Sequence, residues 1–251
     1  MDKYTLKTAF KKSFLGIVWR IEVDTAENLI AVETRNQDSG APAFSTFDYR
    51  TGRSFIQEQP YGDRNWTLAG TADRKLIIRA YGTSSPEGAG IACMDAQSGV
   101  VLWEQFSYNL IHVAPTQIAV RHRNFAAGYE QYLDIQTGNL TPFNTSADKP
   151  TEPKLVLPQQ YNGDLPEVLE NFKVHGDIFY SSIGTKKAWA FHEKEEAGYR
   201  VRLVITSGIT LLSDQVILSG LPALTWELFF VIGQHLFFIG NNKREIVSYL
   251  V

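Results

Sequence analysis

The chain has a single cysteine, Cys93, so no internal disulfide can brace the fold and no cysteine cluster can hold a metal. Cys93 lies in the strand-like run Gly90-Ile-Ala-Cys-Met94. There a small buried side chain is expected in preference to a reactive thiol. Long apolar runs are missing too. A membrane helix needs roughly 18 such residues, and even Leu228-Phe-Phe-Val-Ile232 is cut off by Gly233, Gln234 and His235. The N-terminal lysines Lys3, Lys7, Lys11 and Lys12 precede only Phe14 to Val18 before Arg20, Glu22 and Asp24 intervene, so the apolar core of a signal peptide is absent. These absences predict a soluble, cytoplasmic protein with no membrane partner. Excess positive charge is lacking as well: 24 Lys and Arg stand against 27 Asp and Glu, for a net charge of −3 and a pI near 6.0. Without a global basic field, nucleic acid is not an expected partner.

Chemical signatures are equally sparse. The five histidines, His112, His122, His175, His192 and His235, are scattered singly without zinc-site spacing. His192-Glu193-Lys194-Glu195-Glu196 has no second histidine four residues on and reads as a charged hairpin turn, not a metalloprotease helix. No Gly-x-Ser-x-Gly elbow and no phosphate-cradling glycine loop occurs. No cofactor and no metal are predicted. The glycosylation-type tripeptides Asn65-Trp-Thr67 and Asn144-Thr-Ser146 are read as chance matches.

What is present is a repeat. Asp48-Tyr-Arg-Thr51-Gly52, Asp95-Ala-Gln-Ser98-Gly99 and Asp134-Ile-Gln-Thr137-Gly138 are spaced by 47 and 39 residues, each between strand-like runs. The aspartate is suited to accept backbone N–H groups, and the glycine to supply the positive φ of a bulged loop. Upstream of each lies a second strand, as in Leu29-Ile-Ala-Val32, Leu76-Ile-Ile78 and Ile118-Ala-Val120. Two further units without the aspartate signature are read as strand-turn-strand at Phe172 to Tyr180 and at Leu228 to Phe238, with Lys187 to Phe191 and Tyr199 to Ile205 as strands of the fourth. An extra strand is expected around Gln215-Val-Ile-Leu218, and Asn144 to Glu167 reads as a surface insertion or a strand-bearing connector.

Four-stranded units at this period predict an all-β fold, a β-propeller of five blades in one domain over residues 1–251. The last blade is one strand short, and Lys3 to Ala9 is the expected strand to pair beside Glu245 to Val251 and close it. A sixth small sheet or a pair of β-sandwiches are the alternatives. The segment Gly90 to Glu104 resembles the repeat of quinoprotein-like and WD40-like propellers. That resemblance implies that Trp103 packs between blades, with Ile56 in its place in the first unit and Pro142 in the third. Units four and five lack the motif, and no quinone-binding residues carry over.

In such a fold the loops after each second strand share one rim. Arg35, Tyr81, Arg121, His122, Arg123, Lys186 and Lys243 fall there, in the segments 35–42, 81–89, 121–127, 182–186 and 240–243. Lys187 and Arg244 add charge nearby, although solvated loop charge is the plainer role for all of them. The expected function is non-catalytic binding or scaffolding, with a protein or peptide recognised at this rim. An enzyme acting on a small or carbohydrate-like ligand in the central channel is the alternative. A second copy of the chain is a further candidate partner, through Trp226, Phe229 and Phe230, which core packing would otherwise claim.

Overall fold

The repeated turn closes on itself by hydrogen bonds that only its own residue types can supply. In the computed structural model, which describes residues 6–81, 89–125, 127–144, 155–240 and 242–251, Asp48 Oδ1 accepts from the N–H of Arg50 and Thr51 and from the Thr51 hydroxyl at 2.9, 2.8 and 2.9 Å. Asp95 and Asp134 repeat the pattern with Gln97 and Ser98 and with Gln136 and Thr137. Gly52, Gly99 and Gly138 follow at φ 72, 74 and 69°, and each N–H returns to the carbonyl of its aspartate. The Ser or Thr thus matters as a donor, and the Gly as a left-handed residue.

Strand β1 (Lys7–Ser13) precedes three four-stranded antiparallel sheets in chain order. The first holds β2 (Ile17–Asp24), β3 (Leu29–Arg35), β4 (Pro42–Asp48) and β5 (Ser54–Pro60). The second holds β6 (Trp66–Ala72), β7 (Lys75–Tyr81), β8 (Ala89–Asp95) and β9 (Val101–Gln105). The third holds β10 (Tyr108–Val113), β11 (Gln117–His122), β12 (Gln131–Asp134) and β13 (Leu140–Thr141). There follow β14 (Leu155–Val156), β15 (Gln159–Gln160), a 3₁₀ turn at Glu167–Leu169, β16 (His175–Ile183), β17 (Lys186–Glu195), β18 (Gly198–Ser207), β19 (Thr210–Leu221), β20 (Phe230–Ile232), β21 (His235–Gly240) and β22 (Glu245–Leu250). These form a fourth sheet, β15-β16-β17-β18-β19, and a fifth, β1-β22-β21-β20-β14. By internal contacts the chain falls into two compact units, Phe14–Glu152 and Met1–Ser13 with Pro153–Val251.

Within the unit 14–152 the second sheet is covered on both faces, and its middle strands accordingly carry the apolar runs Leu76-Ile-Ile78 and Ile91-Ala-Cys-Met94. All seven residues of β3 are buried. Ala31, Phe44, Ile56, Leu68, Leu76, Ile78 and Met94 form one shared core between the first and second sheets. Ile77, Ile91, Cys93, Ile118, Val120 and Leu133 form the next, between the second and third. Trp103 crosses that second layer as expected, donating Nε1–H to the Ile135 carbonyl at 3.0 Å. Ile56 takes the corresponding place in the first sheet, where the Thr46 hydroxyl bonds the Ala96 carbonyl at 2.5 Å.

In the other unit Leu6, Phe179, Ala188, Leu203, Leu236, Phe238, Val247 and Tyr249 are part of one core between the fourth and fifth sheets. The expected N-terminal pairing is present, from Lys7 opposite Leu250 to Ser13 opposite Glu245, while residues 3–5 lie outside the described residues. The strand-turn-strand at Leu228 to Phe238 appears as β20 and β21 around Gly233, and the extra strand at Gln215 to Leu218 is part of β19. Two expectations need correction. Phe172 to Tyr180 holds no hairpin: Gly176, at φ 74°, lies in a register shift within the single strand β16. His192 to Glu195 is not a turn but the end of β17, with His192 and Glu193 buried and Lys194 exposed, because the hairpin turns later, at residues 196–197 before Gly198. Of the stretch Asn144 to Glu167, residues 145–154 lie outside the described residues, and with them the rest of the tripeptide at Asn144. The remainder carries β14 and β15, a connector that lends one strand to each sheet of its unit.

Candidate functional site

The first strands of three successive sheets converge on one cavity in the unit 14–152. It has a volume of about 370 Å³ and is lined by β2, β6, β7 and β10, with Arg20, Glu22, Gly70, Thr71, Arg79 and His112 as its chemically informative residues. The ladders explain why these residues meet. Leu29, Lys75 and Gln117 face the three turn aspartates, so Ala31, Ile77 and Ala119 occupy one rung, and Glu22, Gly70 and His112 pair with them. Each first strand also carries one extra residue, Trp19, Ala69 or Ile111, where the register slips. A bulge twists its strand and re-aims the side chains beyond it. In β6 and β10 it directly precedes the cavity residues Gly70 and His112; in β2 it directly precedes Arg20.

Charge in the cavity is mostly positive. Arg20 Nε lies 2.8 Å from Glu22 Oε1, so the one carboxylate of the lining is already paired. Arg79 has no such partner: its Nε is buried and hydrogen-bonds to nothing among the described residues. The contrast with the preceding sheet is instructive, because Glu33 occupies the same rung of β3 that Arg79 occupies in β7. Glu33 is fully buried and satisfied, accepting from the Thr67 hydroxyl and the Leu68 N–H at 2.7 Å each and from Arg35. At Arg79 the acceptor has become a donor. Gly70 lets β10 approach β6 closely, since a Cβ there would stand only 3.3 Å from the Val113 side chain.

The residues assigned to the rim separate into internal and exposed groups. Arg35 is 8% exposed, and its guanidinium is spent on Glu33 and on the carbonyls of Gly40, Arg64 and Trp66 at 2.9, 2.8 and 2.6 Å. Arg121 sits 3.9 Å from Glu130. Lys186 opens β17 opposite Ser207, and Lys243, at φ 64°, is 3.2 Å from Glu227. Both lysines belong to the unit that holds the fourth and fifth sheets. Tyr81, His122 and Arg123 end or follow second strands of the unit 14–152. Among residues 81–89, 121–127 and 240–243, residues 82–88, 126 and 241 lie outside the described residues.

Around His122 and Arg123 the structure gathers aromatics that a reading by charge passed over. The His122 ring meets Tyr108 and Phe125 edge-on at 5.6 and 5.8 Å. The Arg123 N–H bonds the Ser107 carbonyl at 2.9 Å, and its guanidinium reaches the Phe106 carbonyl at 3.4 Å. Phe106 in turn meets Trp66 edge-on at 6.4 Å, and Trp66 meets Tyr61 at 5.0 Å. Phe106 and Phe125 are 48% and 58% exposed. Tyr81 is 50% exposed and is anchored beside Trp66 by its N–H to the Asn65 carbonyl. The Tyr61 hydroxyl donates to Glu104 at 2.6 Å; burial, then that bond, pushes its pKa up.

Other candidates resolve simply. Cys93 is fully buried, and desolvation pushes its thiol up to about 12, so it is no nucleophile. Phe229 and Phe230 are core, whereas Trp226 is 66% exposed, with its ring edge-on to Phe179. Among the described residues no three His, Cys, Asp or Glu side chains gather as metal ligands, and no helix is long and apolar enough to cross a membrane.

With this geometry in view, a family model described as Domain of unknown function (DUF4905) matches residues 23–103, which run from β2 to β9. No curated protein matches the chain. Among solved structures, BamB from Moraxella catarrhalis is 12% identical, over 94% of this chain and 85% of that one, at a TM-score of 0.33. The β-propeller domain of the Trilobed protease from Pyrococcus furiosus is 13% identical over 92% and 78%, at 0.34. An endo-arabinase from Bacteroides thetaiotaomicron is 9% identical over 100% and 98%, at 0.28. Likenesses this distant assign no residue a role.

Proposed function

We propose that this chain is a β-propeller-type binding module that recognises a protein or peptide at the rim of its second and third sheets. In this proposal the five sheets are the blades of one domain over residues 1–251, with β1 completing the last, and the protein resides in the cytoplasm. The observation that carries the recognition reading is the exposed aromatic group Tyr81, Phe106 and Phe125 around His122 and Arg123. Aromatics and arginine are enriched at the cores and hot spots of interfaces, the aromatics for their large contact area and arginine for its charged, planar hydrogen-bonding fork. Here backbone and ring contacts already hold them in place, which lowers the ordering cost of association.

The alternative, an enzyme working on a small or carbohydrate-like ligand, is less well served. The cavity lining holds one carboxylate, Glu22, already paired with Arg20, whereas glycoside hydrolysis ordinarily takes two. Selection of a random peptide library on the purified chain tests the rim. Enriched peptides should lose roughly tenfold or more in affinity to Phe125→Ala and to Arg123→Ala, and keep their affinity for Arg20→Ala. No enrichment, or peptides indifferent to both rim variants, would sink the reading.

A further inference from the structure

We infer that the cavity between β2, β6 and β10 is a second, separate binding site, for a small molecule bearing an oxyanion, either carboxylate or phosphate. Its size falls within the range of metabolite pockets, about 300 to 1,000 Å³. Two guanidinium groups and one imidazole face a single carboxylate there, so the lining carries a positive surplus. Arg79 supplies the specific contact. A buried guanidinium N–H with no acceptor costs free energy that an arriving oxyanion would recover, and the flat guanidinium fork matches carboxylate or phosphate oxygens in pairs.

The surroundings favour that role over a structural one. A residue that only held the sheets together would resemble Glu33, on the same rung one sheet earlier, with Oε2 filled from β6 and Oε1 by Arg35. Arg79 instead lines the open cavity, with its Nε unpaired among the described residues. The exposed His112 lies across that space, on the rung shared by Glu22 and Gly70. Glu22 sets the sign of the selectivity: it holds Arg20 away from a ligand and repels a second negative charge.

Calorimetric titration of the full chain with sodium phosphate and, separately, sodium succinate, at ionic strength held constant with sodium chloride, tests this. At least one anion should bind saturably in the low-millimolar range or tighter, and the stronger of the two names the oxyanion. Arg79→Gln should weaken that binding roughly tenfold or more. Glu22→Gln should tighten it, because it removes the competing carboxylate and frees Arg20. Phe125→Ala should leave it unchanged, which keeps this site distinct from the rim. If neither anion binds saturably, or if binding ignores both Arg79→Gln and Glu22→Gln, the assignment is wrong. Should Arg79→Gln fail to fold by circular dichroism, the opposite shift expected of Glu22→Gln decides alone.

Discussion

His192 shows how far burial can change what a side chain does. In sequence it looks like part of a charged turn, yet it is 2% exposed, with Nε2 accepting the Thr225 N–H at 3.2 Å and the Tyr199 ring edge-on. Burial first, and the facing His175 second, hold its pKa below the ordinary imidazole value. The folded state therefore binds fewer protons at this site than the unfolded chain. The stability it contributes is complete above the unfolded value of about 6.5 and is lost as pH falls through the lower folded value. Urea denaturation should accordingly show a decline below about pH 6.5, one that His192→Gln, which cannot titrate there, reduces. Equal pH dependence in both proteins would contradict this account. Arg35 is the converse lesson. Its position at the end of a second strand was legible, but the carbonyls of Arg64 and Trp66 that claim it lie about 30 residues away in the chain, and no local pattern announces them.

At the level of elements, the turns were the most legible feature, because the whole cause of each lies within five residues. The bulges were not legible. Trp19, Ala69 and Ile111 share no residue type, and a one-residue slip of the in–out alternation does not stand out in strands of only six to eight residues. This is why Arg20, Glu22 and Arg79 went unnoticed as candidates, while the ends of the second strands could be located to within a few residues. The turns also separate local from tertiary cost. Gly99 and Gly138 have nearly the same φ, 74 and 69°, but a Cβ at Gly99 would stand 3.6 Å from the Gln59 side chain, whereas one at Gly138 would fall 2.6 Å from the Trp103 ring. Gly99→Ala should cost about 1 to 2 kcal/mol from the left-handed backbone alone. Gly138→Ala should cost that plus about 1 to 3 kcal/mol of overpacking. Urea denaturation of the two variants checks the ordering; equal losses would mean that Trp103 moves aside freely and is no fixed wedge between the sheets.

At the level of the whole chain, the fifth sheet joins the two ends of the sequence. The pairing was foreseeable because β20 to β22 read as an incomplete unit and the N-terminal segment as a strand with no unit of its own. The fourth sheet was legible only in part: Lys187 to Phe191, Tyr199 to Ile205 and Gln215 to Leu218 fall within β17, β18 and β19, but β16 to β19 run nine to twelve residues with no aspartate turn to mark their ends. Strand β1 lies at the edge of its sheet, and Lys7, Lys11 and Lys12 line that edge, a charged finish that discourages pairing with another chain. Beneath it, Leu6 is buried in the core and Phe10 contacts Phe237 at 6.1 Å. Deleting residues 1–13 would strip these contacts and expose β22, whose residues Ile246, Val247, Ser248 and Tyr249 are all buried. The loss should reach at least about 3 kcal/mol from apolar burial and cross-strand pairs, and the bare apolar edge should drive association. Light scattering and thermal melting of the shortened chain measure both. A monomeric product that melts like the intact protein would show that β22 needs no partner strand, and the lysines of β1 would then guard nothing.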